Sequence, residues 1–326
     1  MLKKVTVERF KSLVSLDLAL GRMNVFVGAN GSGKSNLLEA LGVLGAAAFG
    51  RVDDETLQRR GVRPGVPRLY KSAFPQTKAK NVPHIFFGAE AGGGASFDVT
   101  LWNPIENPSP AWRFKTENLR RSPSDAVLTR TTTSAGAHNA EQGMAALKTV
   151  ELAPGDAVLE LMDTLRSYSI YCPNTPTLRG LVSDQQSREP IGLAGGRLAE
   201  SVGELLRSGQ EDESLSTAID GVRNLIDWAS GFSAESSIGV PLSPSAARSR
   251  LVVQFVDRFM APGRNKLTGY DASEGALYVL FCAVLALHPR APRCVAIDNI
   301  DQALNPLLAM RLISEVCVWT GRTKNE

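Results

Sequence analysis

The eight residues Gly28-Ala-Asn-Gly-Ser-Gly-Lys-Ser35 constrain this chain more than any other stretch. They fit the pattern G-x-x-x-x-G-K-[ST], and the chemistry explains the residue types. Glycines let backbone N–H groups turn inward around phosphate oxygens, and a helix that starts there adds its positive end. Lys34 would reach the β and γ phosphates, and the Ser35 hydroxyl would ligate Mg²⁺. The plainer alternative is a glycine-rich turn that caps a helix. The flanks favour phosphate. Met23-Asn-Val-Phe-Val27 reads as a short buried parallel strand. Leu37, Leu38, Leu41 and Leu44 form one apolar face of a helix from Ser35 to Ala48.

A second motif lies near the other end. Arg293-Cys-Val-Ala-Ile297 reads as a buried strand that runs into Asp298. After a phosphate-binding loop, such an acid completes the Mg²⁺ shell; by itself it is an ordinary strand end or cap. Asn299 follows, where many ATPases carry a glutamate that polarises water. An amide can orient a water but cannot take its proton, and Asp301 is the nearest spare carboxylate. A third motif, Ala272-Ser-Glu-Gly-Ala276, heads an apolar helix expected over Ala276 to Leu287. Ser273 and Gly275 at a helix N-terminus can bind a γ-phosphate. Equally, Ser273 can be a simple cap and Gly275 a packing position.

Between these motifs, roughly residues 50 to 260, the chain is irregular. Lys4 to Phe10 alternates as a half-buried strand, and His84 to Phe87 and Ser96 to Trp102 read as an antiparallel pair. Leu198, Val202, Leu205 and Leu206 share a helix face. Leu304, Leu308, Ile313 and Val316 suggest a final helix. The 326 residues are 43% hydrophobic, enough for a core without staples. The four cysteines form no CxxC pair, which argues against a disulfide scaffold or a zinc site. No apolar run approaches the ~20 residues that a membrane helix takes. A soluble, cytoplasmic protein with no membrane contact is expected.

These residues resemble a known group. Val5-Thr-Val-Glu-Arg-Phe-Lys-Ser12, followed by the stretch from Val25 to Ala40 with its Asn-Gly-Ser-Gly-Lys-Ser-Asn-Leu-Leu-Glu-Ala, looks like the opening of ABC-type AAA ATPases of the RecF/SMC/OLD-like class. Ser273-Glu-Gly275 resembles their signature motif, and Ile297 to Pro306 their Walker B and D-loop. Pro190 to Ala199 resembles a mid-domain stretch weakly. The resemblance covers the two ends; the middle agrees only in length.

The resemblance implies an α/β P-loop NTPase fold. It would be one discontinuous ATPase head with a mixed central sheet and N-terminal antiparallel strands. The parts would be a P-loop lobe over 1–50, an inserted region over 51–260, and a C-terminal lobe over 261–326. ATP and Mg²⁺ would be the cofactors. Asn30, Gly31, Ser32, Gly33, Lys34, Ser35 and Asn36 would hold the nucleotide, and Ser35 and Asp298 the Mg²⁺. Two copies would dimerise around ATP, with Ser273 and Gly275 acting on the partner's nucleotide. The work would be DNA repair, or antiviral or plasmid defence, with a separate effector such as a nuclease.

Three departures modify that expectation. Asn299 replaces the usual glutamate, which motivates a nucleotide-gated switch with little turnover. Ala272 replaces the usual leucine. The family's switch histidine is absent, since His84, His138 and His288 all lie too early. The strand that should carry it would begin where the chain stops, so a chain short by one strand is expected. A transporter ATPase subunit is a third reading, disfavoured by the Val5 to Ser12 opening. Finally, the net charge of +3 conceals an acid-free run from Thr56 to Gly88. Its Arg59, Arg60, Arg63, Arg68 and Lys71 suggest a DNA contact; Gln76 there is a weak Mg²⁺-sensing candidate.

Overall fold

The computed structural model describes residues 1–74, 84–131, 145–242 and 249–322. The chain forms two compact units. The first comprises Met1–Ile170 and Arg293–Ala296; the second comprises Tyr171–Pro292 and Ile297–Glu326.

In the first unit, strands β1 (Leu2–Phe10) and β2 (Leu13–Ala19) make a tight antiparallel pair. Helix α1 (Lys34–Phe49) follows the glycine-rich loop, then the short helices α2 (Asp54–Gln58) and α3 (Pro67–Tyr70). Strands β3 (His84–Ala91), β4 (Ser96–Trp102), β5 (Arg113–Ser122) and β6 (Asp125–Arg130) complete a six-stranded sheet of order β2-β1-β3-β4-β5-β6. Every pairing in it is antiparallel. The alternating pattern decides its inner face. Val5, Val7, Ile85, Phe87, Phe97, Val99, Leu101 and Phe114 are buried. They pack with α1 and with α4 (Ala157–Ser167) into one core that also holds Leu41, Leu44, Leu161 and Leu165. Burying a leucine or phenylalanine of this kind contributes roughly 1.5–3 kcal/mol. Glu117 is the inward-facing exception, fully buried; its carboxylate accepts the N–H groups of Ala146 and Leu147 at 2.8 and 3.1 Å.

Strand β7 (Ser169–Tyr171) runs from the first unit into the second. There α5 (Thr175–Leu178), α6 (Leu198–Glu211) and α7 (Glu213–Leu225) precede β8 (Ala229–Ser236), β9 (Leu251–Asp257) and β10 (Lys266–Thr268). These three strands form an antiparallel sheet of order β10-β9-β8. Helix α8 (Glu274–Leu287) is apolar on every side and buried along its length, as a central helix must be. Strand β11 (Val295–Ile297) pairs with β7, and α9 (Pro306–Arg322) follows. Of the stretch Pro190 to Ala199, the residues up to Arg197 belong to a loop wrapped around Asp184, and Leu198 and Ala199 begin α6. That carboxylate accepts the N–H groups of Ala194 and Gly196 at 2.9 and 3.0 Å.

The expected helices over Ser35–Ala48 and Ala276–Leu287 form, as do the strands at Lys4–Phe10, His84–Phe87 and Ser96–Trp102. One expectation fails. Met23–Val27 is not a strand, and Val25 and Val27 are 53% and 91% exposed. An apolar run becomes a strand only where a neighbour offers ladder partners, and no strand among the described residues pairs with this one. Within α9 the most buried side chains are Leu312 and Trp319, which the sequence pattern did not single out. No helix among the described residues is long and apolar enough to cross a membrane.

Candidate nucleotide-binding loop

The loop from Gly28 to Gly33 leads into α1 with two left-handed glycines, Gly31 at φ 80° and Gly33 at φ 98°. Gly33 is the residue that caps α1. No side chain caps this end of the helix, and no acid sits in its first turn. By contrast, Asp53, Asp156, Asp212 and Ser273 close α2, α4, α7 and α8 with side-chain oxygens. The start of α1 therefore presents backbone donors and a positive dipole end, the arrangement that takes an anion. Lys34 lies back over the loop, its ammonium donating to the carbonyls of Gly28 and Ala29 at 2.7 and 3.0 Å. Those carbonyls hold the cation where a phosphate can compete for it. Ser35 and Asn36 occupy the first turn of α1, half-buried. Asn30, Gly31 and Ser32 are exposed on the loop.

Behind the loop sits a polar network. The Asn36 side-chain amide donates to the Ser12 hydroxyl at 2.7 Å and accepts from Arg63 at 3.2 Å. Glu39, 2% exposed, receives the Arg63 backbone N–H at 3.2 Å, the Arg63 guanidinium and the Lys11 ammonium. Burial pushes the Glu39 carboxyl up, but hydrogen bonds from Arg63 and Lys11 outweigh it and hold the group below its ordinary range. The Lys11 ammonium stands 4.6 Å from the centre of the Tyr70 ring. Its burial lowers its pKa despite Glu39. The turn between β1 and β2 is thus fastened to the first two turns of α1. The residue pattern from Val5 to Ala40 suggested nothing of this, because the partners lie far apart in sequence.

The same contacts involve the basic run that suggested a DNA contact. Arg63 is engaged with Glu39 and Asn36, and Arg59 pairs with Glu55. Arg60 is buried and donates to the carbonyls of Thr56 and Arg166 at 3.0 and 3.4 Å. Of these three, Arg60 alone is buried, while the paired Arg59 and Arg63 stay largely exposed. Arg68 is exposed and Lys71 half-buried. Gln76 and His138 lie outside the described residues.

In the second unit, Asp298 follows β11 directly, and its backbone N–H donates to the Tyr171 carbonyl at 2.8 Å. Asn299 adopts the left-handed conformation at φ 56°, which Asn tolerates better than most residues. Its amide lies 4.0 Å from the Cys172 sulfur. Burial raises the Cys172 pKa, the Asp298 charge adds to that, and the Asn299 amide opposes it. Asp301 is exposed in the turn that leads to α9. Ser273 caps α8, its hydroxyl accepting the Ala276 N–H at 3.4 Å. A methyl on Gly275 would meet the Ala303 carbonyl oxygen at 3.4 Å and Leu308 at 3.5 Å. The second unit therefore sets Gly275 beside the turn that follows Asp298. Sequence reasoning missed Cys172; its place at the end of β7 was the available signal.

Residues 23–120 match the model of a family described as an AAA domain, putative AbiEii toxin, Type IV TA system. The matched stretch contains Gly28–Ser35, α1 and Glu39, and stops short of Ser273 and Asp298. It supports an ATP-binding P-loop NTPase of the AAA type, which agrees with the α/β architecture and with the geometry at the start of α1. No curated protein matches the chain.

Proposed function

We propose that this chain is an ATPase head that binds ATP with Mg²⁺ and dimerises around it. The observation that carries the reading is the uncapped N-terminus of α1 behind the left-handed Gly33, with Lys34 held over the loop carbonyls. The cradle fits a polyphosphate. Backbone N–H groups of the loop would take its oxygens, and Lys34 would exchange two neutral carbonyls for a charged partner. Mg²⁺, when bound, neutralises phosphate charge; Ser35 and Asp298 carry the hard oxygen donors that such a cation takes. Ser273 and Gly275 would act on the nucleotide of a second copy. The downstream work would be DNA repair, or defence against phage or plasmid, through a separate effector.

Turnover is slow in this reading. Asn299 can orient a water with its amide but accepts no proton, so the role of base falls to Asp301. The left-handed Asn299, with its amide turned toward Cys172, favours a nucleotide-gated switch over a fast enzyme. Single-turnover mixing with radiolabelled ATP and Mg²⁺ tests this. Stable bound ATP, with Asn299→Glu raising release of ADP, is expected. A rapid wild-type burst abolished by Asp301→Asn would establish the fast enzyme instead.

A further inference from the structure

The outer face of the six-stranded sheet gathers cations at one end. His84 on β3 lies opposite Trp102 on β4, and Trp102 lies opposite Arg113 on β5. The Arg113 guanidinium stacks 4.7 Å from the Trp102 ring centre. Lys115 is the extra residue of a bulge: Leu101 pairs with Phe114, Thr100 pairs with Thr116, and Lys115 has no opposite. A bulge re-aims a side chain, and here the Lys115 ammonium comes to 3.0 Å from the His84 ring nitrogen. Arg9, at the end of β1, adopts a left-handed φ of 63°. The chain at Lys71 pairs beside it, the Ser72 N–H donating to the Arg9 carbonyl at 2.9 Å.

Two irregularities thus bring like charges together on one half-buried surface. A left-handed arginine costs about 1–2 kcal/mol, and crowded cations repel. Glu8 pairs with Arg9 at 3.3 Å, yet the Arg9 Nε is buried with no hydrogen-bond partner among the described residues. The crowding shows on its neighbours. Burial, then Lys115, Arg9 and Lys71, push His84 down to about 4. Burial and Arg9 likewise lower Lys71. Strain and crowded charge held together at one place point to a functional surface.

We infer that this end of the sheet, formed by Arg9, Lys71, His84, Arg113 and Lys115 around Trp102, binds the phosphodiester backbone of a nucleic acid. Arg9 on β1 and Arg113 and Lys115 on β5 are three strand spacings of about 4.8 Å apart, so the cations spread over roughly 14 Å, which suits a linear polyanion better than a single small anion. Half-buried Trp102 lies between His84 and Arg113, and an aromatic surface interleaved with basic groups favours bases over an acidic peptide. The surface is distinct from the Arg59–Arg63 stretch and shares with the sequence expectation only Lys71.

Fluorescence anisotropy with labelled single- and double-stranded oligonucleotides over a salt series tests the inference. Wild type should bind, and the double variant Lys71→Gln/Lys115→Gln should lose about tenfold or more in affinity. Its salt slope should fall by about 0.7–0.9 for each lost phosphate contact. The double variant should keep wild-type ATP binding and melting behaviour, and Lys71→Arg/Lys115→Arg should restore oligonucleotide binding. Bound oligonucleotide should also raise the His84 pKa, read from its ring proton resonance. Three outcomes overturn the inference: no wild-type binding at low salt, unchanged affinity and slope in the double variant, or polyglutamate competing as well as the oligonucleotide.

Discussion

Gly33 and Ser12 approach so closely that a methyl on Gly33 would sit 2.6 Å from the Ser12 hydroxyl oxygen. The glycine that starts α1 is therefore required twice, by its left-handed backbone and by the turn between β1 and β2 packed against it. Gly31 is also left-handed, but a methyl placed there would meet nothing within 4 Å. Gly31→Ala should cost only the conformational strain, about 1–2 kcal/mol. Gly33→Ala should cost more and weaken ATP binding as well. Paired urea melts and nucleotide titrations of the two variants separate these effects; equal losses would show that the Ser12 contact is slack.

Glu39 joins two cations inside the first unit, and removing it leaves both without their counter-charge. Glu39→Ala should lose about 3–5 kcal/mol, the range for breaking a buried ion pair. The pH dependence follows from the lowered carboxyl pKa. The stability that Glu39 contributes is complete above its unfolded value of ~4.3 and disappears as pH falls through the folded value. Urea midpoints measured from neutral pH down to acid should converge for wild type and Glu39→Gln at the acid end. A constant gap would contradict the assignment.

Ser273 closes the N-terminus of α8, so Ser273→Ala should cost about 1 kcal/mol through the lost cap alone. If it also acts on a second copy's nucleotide, ATP-dependent dimerisation should fall further than that loss explains. Ser273→Asp keeps a capping oxygen while adding charge, and it should restore stability without restoring the dimer. Sedimentation with and without ATP reads the difference.

Cys172 reports on Asp298. Its thiol is held protonated by burial and by the neighbouring carboxylate. Asp298→Asn removes one of those causes, so the thiolate fraction at mildly alkaline pH should rise severalfold. Iodoacetamide labelling followed by peptide mass spectrometry resolves Cys172 from Cys317, both of them exposed. An unchanged rate would separate Cys172 from Asp298 electrostatically.

What was legible in the sequence was local. The Gly28–Ser35 pattern, the leucine face of α1 and the uniform apolarity of α8 are set by residues within a turn or two of one another. Each appears where periodicity placed it. The Met23–Val27 strand misled because a short apolar run specifies extension, whereas a ladder also needs a neighbour. The contacts of the basic run were hidden for a related reason. Composition counts Arg60 and Arg63 as cations but cannot see that one turns inward and the other reaches Glu39. The Lys115 bulge and the left-handed Arg9 are backbone irregularities without a residue signature. The cation cluster they create emerges only from the folded sheet.

Nucleotide binding at the start of α1 is the property on which the proposed ATPase depends. Isothermal titration of wild type and Lys34→Ala with ATP and Mg²⁺ measures it. Losing a charge-assisted hydrogen bond worth about 1.5–3 kcal/mol should weaken the variant roughly 10- to 150-fold. Wild type should bind one nucleotide per chain, with no loss of folded structure in the variant. Equal affinity in the two proteins, or no binding by wild type, would show that this loop is not a nucleotide site.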